Sequence, residues 1–137
     1  MNRLFPILLF ACLSACAEDD LTREAQDFIT KHGETQEKWT AWWKVRAEEL
    51  QHDHGYPGEE QAADGYLTAW FRDRQDKFKK PERQSEITDS ERLVVCHFYL
   101  HYKARGWLIP ERISGHVTRK NYERIFAADK QPGPVRP

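Results

Sequence analysis

The chain has 137 residues, with 21 Lys and Arg against 22 Asp and Glu. That length suits one domain, and the balanced charge excludes a general nucleic-acid binder. Twelve per cent aromatics, with five Trp, exclude a disordered chain. The charge is unevenly placed: residues 16–64 carry five basic and thirteen acidic side chains (−8), and residues 65–137 carry fifteen and nine (+6).

Residues 1–16 read MNRLFPILLFACLSAC. Arg3 gives a short positive start, and Leu4 to Leu13 give an apolar run of signal-peptide length, roughly 7–15 residues. A membrane-spanning helix needs about 20 apolar residues, and Glu18, Asp19 and Asp20 close the run too early. Leu13-Ser14-Ala15-Cys16 resembles the lipobox of bacterial lipoproteins. The resemblance implies that residues 1–15 are a signal peptide, cut before Cys16, and that residues 16–20 form a lipidated amino terminus with a short linker. Cys16 would then carry a diacylglyceryl group, with a further acyl chain on the new amino terminus. Leu9-Phe10-Ala11-Cys12 is a weaker rival because Phe10 is bulky. In the sorting pattern that goes with the lipobox, Asp after the cysteine retains the protein at the inner membrane. Ala17 stands there, which implies the outer membrane facing the periplasm; the acidic residues 18–20 keep the inner membrane as the alternative. Cys96 is then the lone thiol of the mature chain, so the fold must stand on its core without an internal disulfide.

Residues 21–128 read as one all-α domain, a compact bundle of about five to six short helices. Leu21, Ala25, Phe28 and Ile29 recur at helical spacing before a stop at Gly33. A second helix is expected from Glu34 to Gln51, with Trp39, Trp42, Trp43, Arg46 and Leu50 on one face. His52 to Gly58 reads as a loop. A third helix is expected from Glu60 to Lys79, burying Ala63, Tyr66, Leu67, Trp70, Phe71 and Phe78; Gly65 weakens its first turn and Pro81 ends it. After a polar linker over 80–88, Thr88 and Glu91 match a capping box. Leu93 to Tyr102 is apolar on nearly every face, which marks the centre of the bundle, with a buried strand as the alternative. Short helices follow from Glu111 to Ser114, behind Pro110, and from Thr118 to about Ala128. Residues 129–137 read as a disordered tail.

His97 and His101 are four apart and face one way on a helix, as metal-ligand pairs do, but a site needs a third ligand from His116, His52 or His54. On an apolar helix they read first as hydrogen-bonded core residues. Cys96 reads as a core thiol before it reads as a nucleophile. Of the three clustered Trp, Trp43 is the one expected to stay exposed and available for binding. Arg72, Arg74, Lys77, Lys79, Lys80 and Arg83 form a basic run that suits an acidic protein partner, an anionic headgroup, or a plain solvated helix end. No nucleotide-binding or hydrolase motif is present in the sequence. The expectation is a non-catalytic macromolecule-binding module without cofactor or resident metal, held to the membrane by lipid and serving an envelope, secretion or transfer machine. The alternatives are an immunity or exclusion lipoprotein and, of another class, a metal-dependent enzyme using His97 and His101.

Overall fold

The computed structural model describes residues 16–127, with side chains described from Asp20 to Phe126. The expected signal peptide, the Cys16 side chain and the tail 129–137 therefore lie outside the described residues. The helices are α1 (Cys16–Lys31), α2 (Gln36–His54), α3 (Glu59–Asp73), α4 (Gln75–Phe78), α5 (Asp89–Arg105), α6 (Glu111–Ser114) and α7 (Arg119–Tyr122). A 3₁₀ segment, Pro81–Glu86, joins α4 to α5, and a wide helical turn, Glu123–Ala127, follows α7. Among the described residues there is no strand, and the fold is all-α. No helix among them is long and apolar enough to cross a membrane.

The sequence chemistry at α5 explains its place. Thr88 Oγ1 accepts from the Glu91 backbone N–H, and the Glu91 carboxylate accepts from the Thr88 N–H, so the capping box forms as read. Gly106, at φ 73°, closes the helix in the left-handed conformation. Between these caps every residue from Val95 to Tyr102 is buried, with Leu93 before them. A helix buried on most faces needs neighbours all round, and α1, α2 and α6 supply them. Helix α1 lies antiparallel to α5: His32 Nε2 meets Asp89 at one end, and Leu21 meets Tyr99 and the residues after Gly106 at the other. It begins at Cys16, so it takes in residues 16–20, read from sequence as a linker.

Helix α2 starts at the Thr35 cap and runs to His54, three residues beyond the sequence reading, because Gly55 provides the left-handed stop. Its inner stripe is Trp43, Ala47 and Leu50. The third helix is not continuous. It stops at Asp73, and Arg74 (φ −119°, ψ 17°) turns the chain into the four-residue α4. In one straight helix Phe71 and Phe78 would sit about 10 Å apart along the axis. The break folds Phe78 back to ring-centroid distances of 5.3 Å from Phe71 and 5.4 Å from Trp70. Buried Gln84 then donates its amide to the carbonyls of Lys77, Phe78 and Lys80, satisfying the open end of α4. Gly65 is no weak point either. A Cβ there would lie 2.2 Å from the Tyr56 hydroxyl oxygen, so the missing side chain is what lets Tyr56 seat on α3.

Candidate binding groove

The histidine pair is built into the core. Both His97 and His101 are buried. His97 Nε2 lies 2.7 Å from Glu34 Oε1 and its Nδ1 2.6 Å from Gln36 Oε1, and its ring stacks on Trp39. Burial pushes the His97 pKa down, opposed by the Glu34 carboxylate. His101 Nε2 meets Glu59 Oε2 at 2.7 Å. Glu59 also accepts from Trp43 Nε1 at 2.9 Å and pairs with Arg105 at 3.1 Å. The two rings thus serve different carboxylates, from the α1–α2 turn and from the start of α3. Among the described residues no three His, Cys, Asp or Glu converge as a metal set. Cys96 Sγ lies 3.9 Å from the Val117 carbonyl oxygen, and burial pushes its thiol up to about 12, which favours the protonated thiol.

The Trp assignment needs correcting. Trp43 is 0% exposed, in ring contact with Trp39, Tyr66 and Phe98, whereas Trp42 is 47% exposed. Trp43 is therefore a core residue and not a surface contact. Its i+4 and i+7 neighbours, Ala47 and Leu50, carried that signal; Val45 and Arg46, one turn beyond Trp42, mark the outer side.

The basic run divides in two. Arg74 and Lys77 both pair with Glu91, at 3.4 and 2.8 Å, and Arg74 also covers the Trp70 ring. Arg83 pairs with Glu86 at 2.6 Å. Arg72, Lys79 and Lys80 are exposed, without an ion-pair partner among the described residues. Arg105, from the basic part of the chain, pairs with Glu59 of the acidic part at 3.1 Å.

Two of the free cations, Arg72 and Lys79, stand at the rim of a groove of about 580 Å³ between α3–α4 and α6–α7. Its apolar lining comes from Phe71, Phe78, Tyr122 and Phe126, with the His116 ring among them. His116 holds the two sides together: Nδ1 lies 2.8 Å from the Arg112 carbonyl and Nε2 3.2 Å from that of Phe78. A neutral imidazole has one N–H for these two acceptors, and burial pushes the His116 pKa down toward that neutral form. Arg112 is the third cation. Its guanidinium lies 5.2 Å from the Phe71 ring centre and donates to Thr68, while its buried Nε–H has no acceptor. The groove therefore combines aromatic walls with three positive groups and no carboxylate. Sequence reading missed it because Arg112, His116 and Phe126 lie far along the chain from the basic run. Comparison with family models, with curated proteins and with solved structures returned no match.

Proposed function

We propose that the chain is a lipoprotein, anchored through Cys16 in the outer membrane on its periplasmic side, whose helical domain is a non-catalytic module that binds an acidic protein partner. The observation that carries the binding role is the groove over Phe71, Phe78, Tyr122 and Phe126, rimmed by Arg72, Lys79 and Arg112. An apolar or aromatic side chain of the partner fills the groove, and neighbouring carboxylates meet the three cations. Such a pairing of a buried anchor with a charged rim is how protein interfaces combine affinity with specificity. The reading as an accessory of an envelope, secretion or transfer machine follows from the anchor, the small size and the lack of catalytic motifs. The anchor itself rests on the lipobox: several acyl chains at about 0.8 kcal/mol per buried CH₂ hold a protein durably on a bilayer.

A photo-crosslinking residue in place of Gln75, which lines the groove, tests the binding site in intact cells. A discrete protein adduct is expected, lost when Arg72 and Lys79 become Glu and retained in Arg83→Glu. An adduct indifferent to the Arg72 and Lys79 reversals would overturn the site. For the anchor, labelled palmitate is expected to enter the wild type and Cys12→Ser but not Cys16→Ser.

A further inference from the structure

A second surface lies beyond the C-terminus of α5. There the chain leaves Gly106 through Trp107, Leu108 and Ile109 before Pro110 opens α6. Leu108 is 88% exposed, well above Val45 at 58% and Trp42 at 47% on α2. Trp107 and Ile109 are half-buried and pack on the edge of the core, so the loop presents Leu108 from a firm base. Leu21 of α1 and Arg124 share the same concavity of about 900 Å³. The Arg105 guanidinium lies 5.9 Å from the Trp107 ring centre.

What covers this apolar edge is indicated by the run of α1 from Cys16 to Leu21. The helix is continuous from Cys16 to Leu21, about 7.5 Å along its axis, so no flexible spacer separates the acylation position from the edge. Acyl chains leaving Cys16 bring the bilayer to this end of the molecule. An exposed Leu at a loop tip, with Trp at its base and an exposed Arg beside it, is the chemistry of an interfacial lipid contact. Leu reaches the acyl boundary, Trp stays at headgroup depth, and the Arg124 guanidinium meets phosphates.

We propose that Trp107, Leu108 and Ile109, together with Leu21, form a membrane-resting edge that fixes how the domain sits on the bilayer. The proposal rests on the anchor reading given above.

The full chain, purified from membranes and reconstituted into vesicles of phosphatidylethanolamine and phosphatidylglycerol with a diazirine-bearing phospholipid, tests this. After irradiation, adducts are mapped by peptide mass spectrometry, and the intact mass reports acylation of Cys16. Adducts on the peptide containing residues 107–109 are expected, at several times the level on residues 42–45. Leu108→Asp, at a position too exposed to disturb folding, is expected to remove most of them. An acylated chain without adducts on 107–109, or with equal adducts on 42–45, overturns the edge and leaves the anchor standing. A chain without acyl groups that still gives loop adducts sinks the anchor and leaves the edge standing. Loss of both acylation and loop adducts sinks both. Cross-links between two copies at residues 107–109, in place of lipid adducts, would assign the surface to a dimer and also overturn the proposal.

Discussion

Two aromatic clusters are built into this fold, and they end differently. On the α1–α2 side, Trp39, Trp43, Phe98, His97 and His101 are closed off by Glu34 and Glu59, which take the ring N–H groups and the Trp43 indole. On the α3–α7 side, Phe71, Phe78, His116, Tyr122 and Phe126 line an opening whose lining holds three cations and no carboxylate. A buried polar ring demands a partner, and the first cluster has all of its partners within the chain. In the second, a backbone carbonyl takes the single N–H of His116, while the Arg112 Nε–H and the free charges of Arg72 and Lys79 remain unanswered. The closed cluster accounts for stability; the open one has chemistry left over for a partner.

The largest effect should therefore come from cutting into the closed cluster. Trp43→Ala removes a fully buried indole and leaves Glu59 one donor short, so a loss of about 3–5 kcal/mol is expected in urea unfolding. Phe126→Ala, in the open wall, should cost less than about 1.5 kcal/mol, because its ring is only half-buried. Equal losses at the two positions would mean that the groove is core and not an opening.

A smaller loss is expected at the groove wall from Gly115→Ala. The added Cβ would come 2.3 Å from the Phe126 ring and 2.8 Å from the Glu111 carbonyl oxygen. The ring can swing aside but the carbonyl cannot, so about 1–3 kcal/mol is expected, together with a displaced Phe126. Partner binding should weaken in step with that displacement. A crystal structure of the variant with the ring unmoved would remove Phe126 from the groove wall.

Acid should expose the two clusters unequally. For His116 and His97 burial holds the folded-state pKa below the ordinary 6.5, so the neutral ring favours the native state. Their contribution is complete above about pH 6.5 and is lost as pH falls through the window below it. At His97 the Glu34 carboxylate opposes this and would pair with a protonated ring; at His116 only the Arg112 and Phe78 carbonyls oppose it, and Arg92 adds to it. His32, raised by its bonds to the Phe28 carbonyl and to Asp89, works in the opposite sense at the surface. Stability should fall from pH 7 to pH 5, and His116→Gln should flatten that slope more than His97→Gln. The reverse order would place the acid-sensitive group in the closed cluster.

How much of this was legible in the sequence depends on the range of the interaction. The Thr88–Glu91 capping box, the stop at Gly106 and the apolar run of α5 are set by neighbours three or four residues apart, and they read correctly. The break at Arg74 did not, because its reason is the return of Phe78 onto Trp70 and Phe71, a tertiary contact. Trp43 was misplaced for a different reason: with Trp39, Trp42 and Trp43 together, hydrophobicity alone cannot choose the inner pair, and Ala47 carries little weight on any such scale. The groove was half visible. Arg72 and Lys79 stood out as part of a basic run, but the same run contains Arg74, Lys77 and Arg83, whose charges are spent on Glu91 and Glu86. Sequence shows a charge; only the fold shows whether another residue already answers it.

That distinction supplies the smallest effect on stability and the sharpest on binding. Arg72→Glu with Lys79→Glu changes exposed side chains without ion-pair partners, so stability should move by no more than about 0.5 kcal/mol. Arg83→Glu breaks the solvent-exposed pair with Glu86 and should cost slightly more. Binding should rank them the other way. Rim charges act mainly on encounter, so the Arg72/Lys79 reversal should slow partner association steeply and leave dissociation almost unchanged. The wild-type rate should fall between low and physiological salt as screening shortens the reach of the rim charges, and the double reversal should flatten that dependence. Arg83→Glu, outside the groove lining, should keep both the rate and its salt slope nearer wild type than the double reversal does. Stopped-flow or surface-resonance kinetics with the cross-linked partner would measure all three chains. If Arg83→Glu slowed association as much as the double reversal, the whole basic face would act through its net charge, and the distinction between answered and unanswered cations would fail.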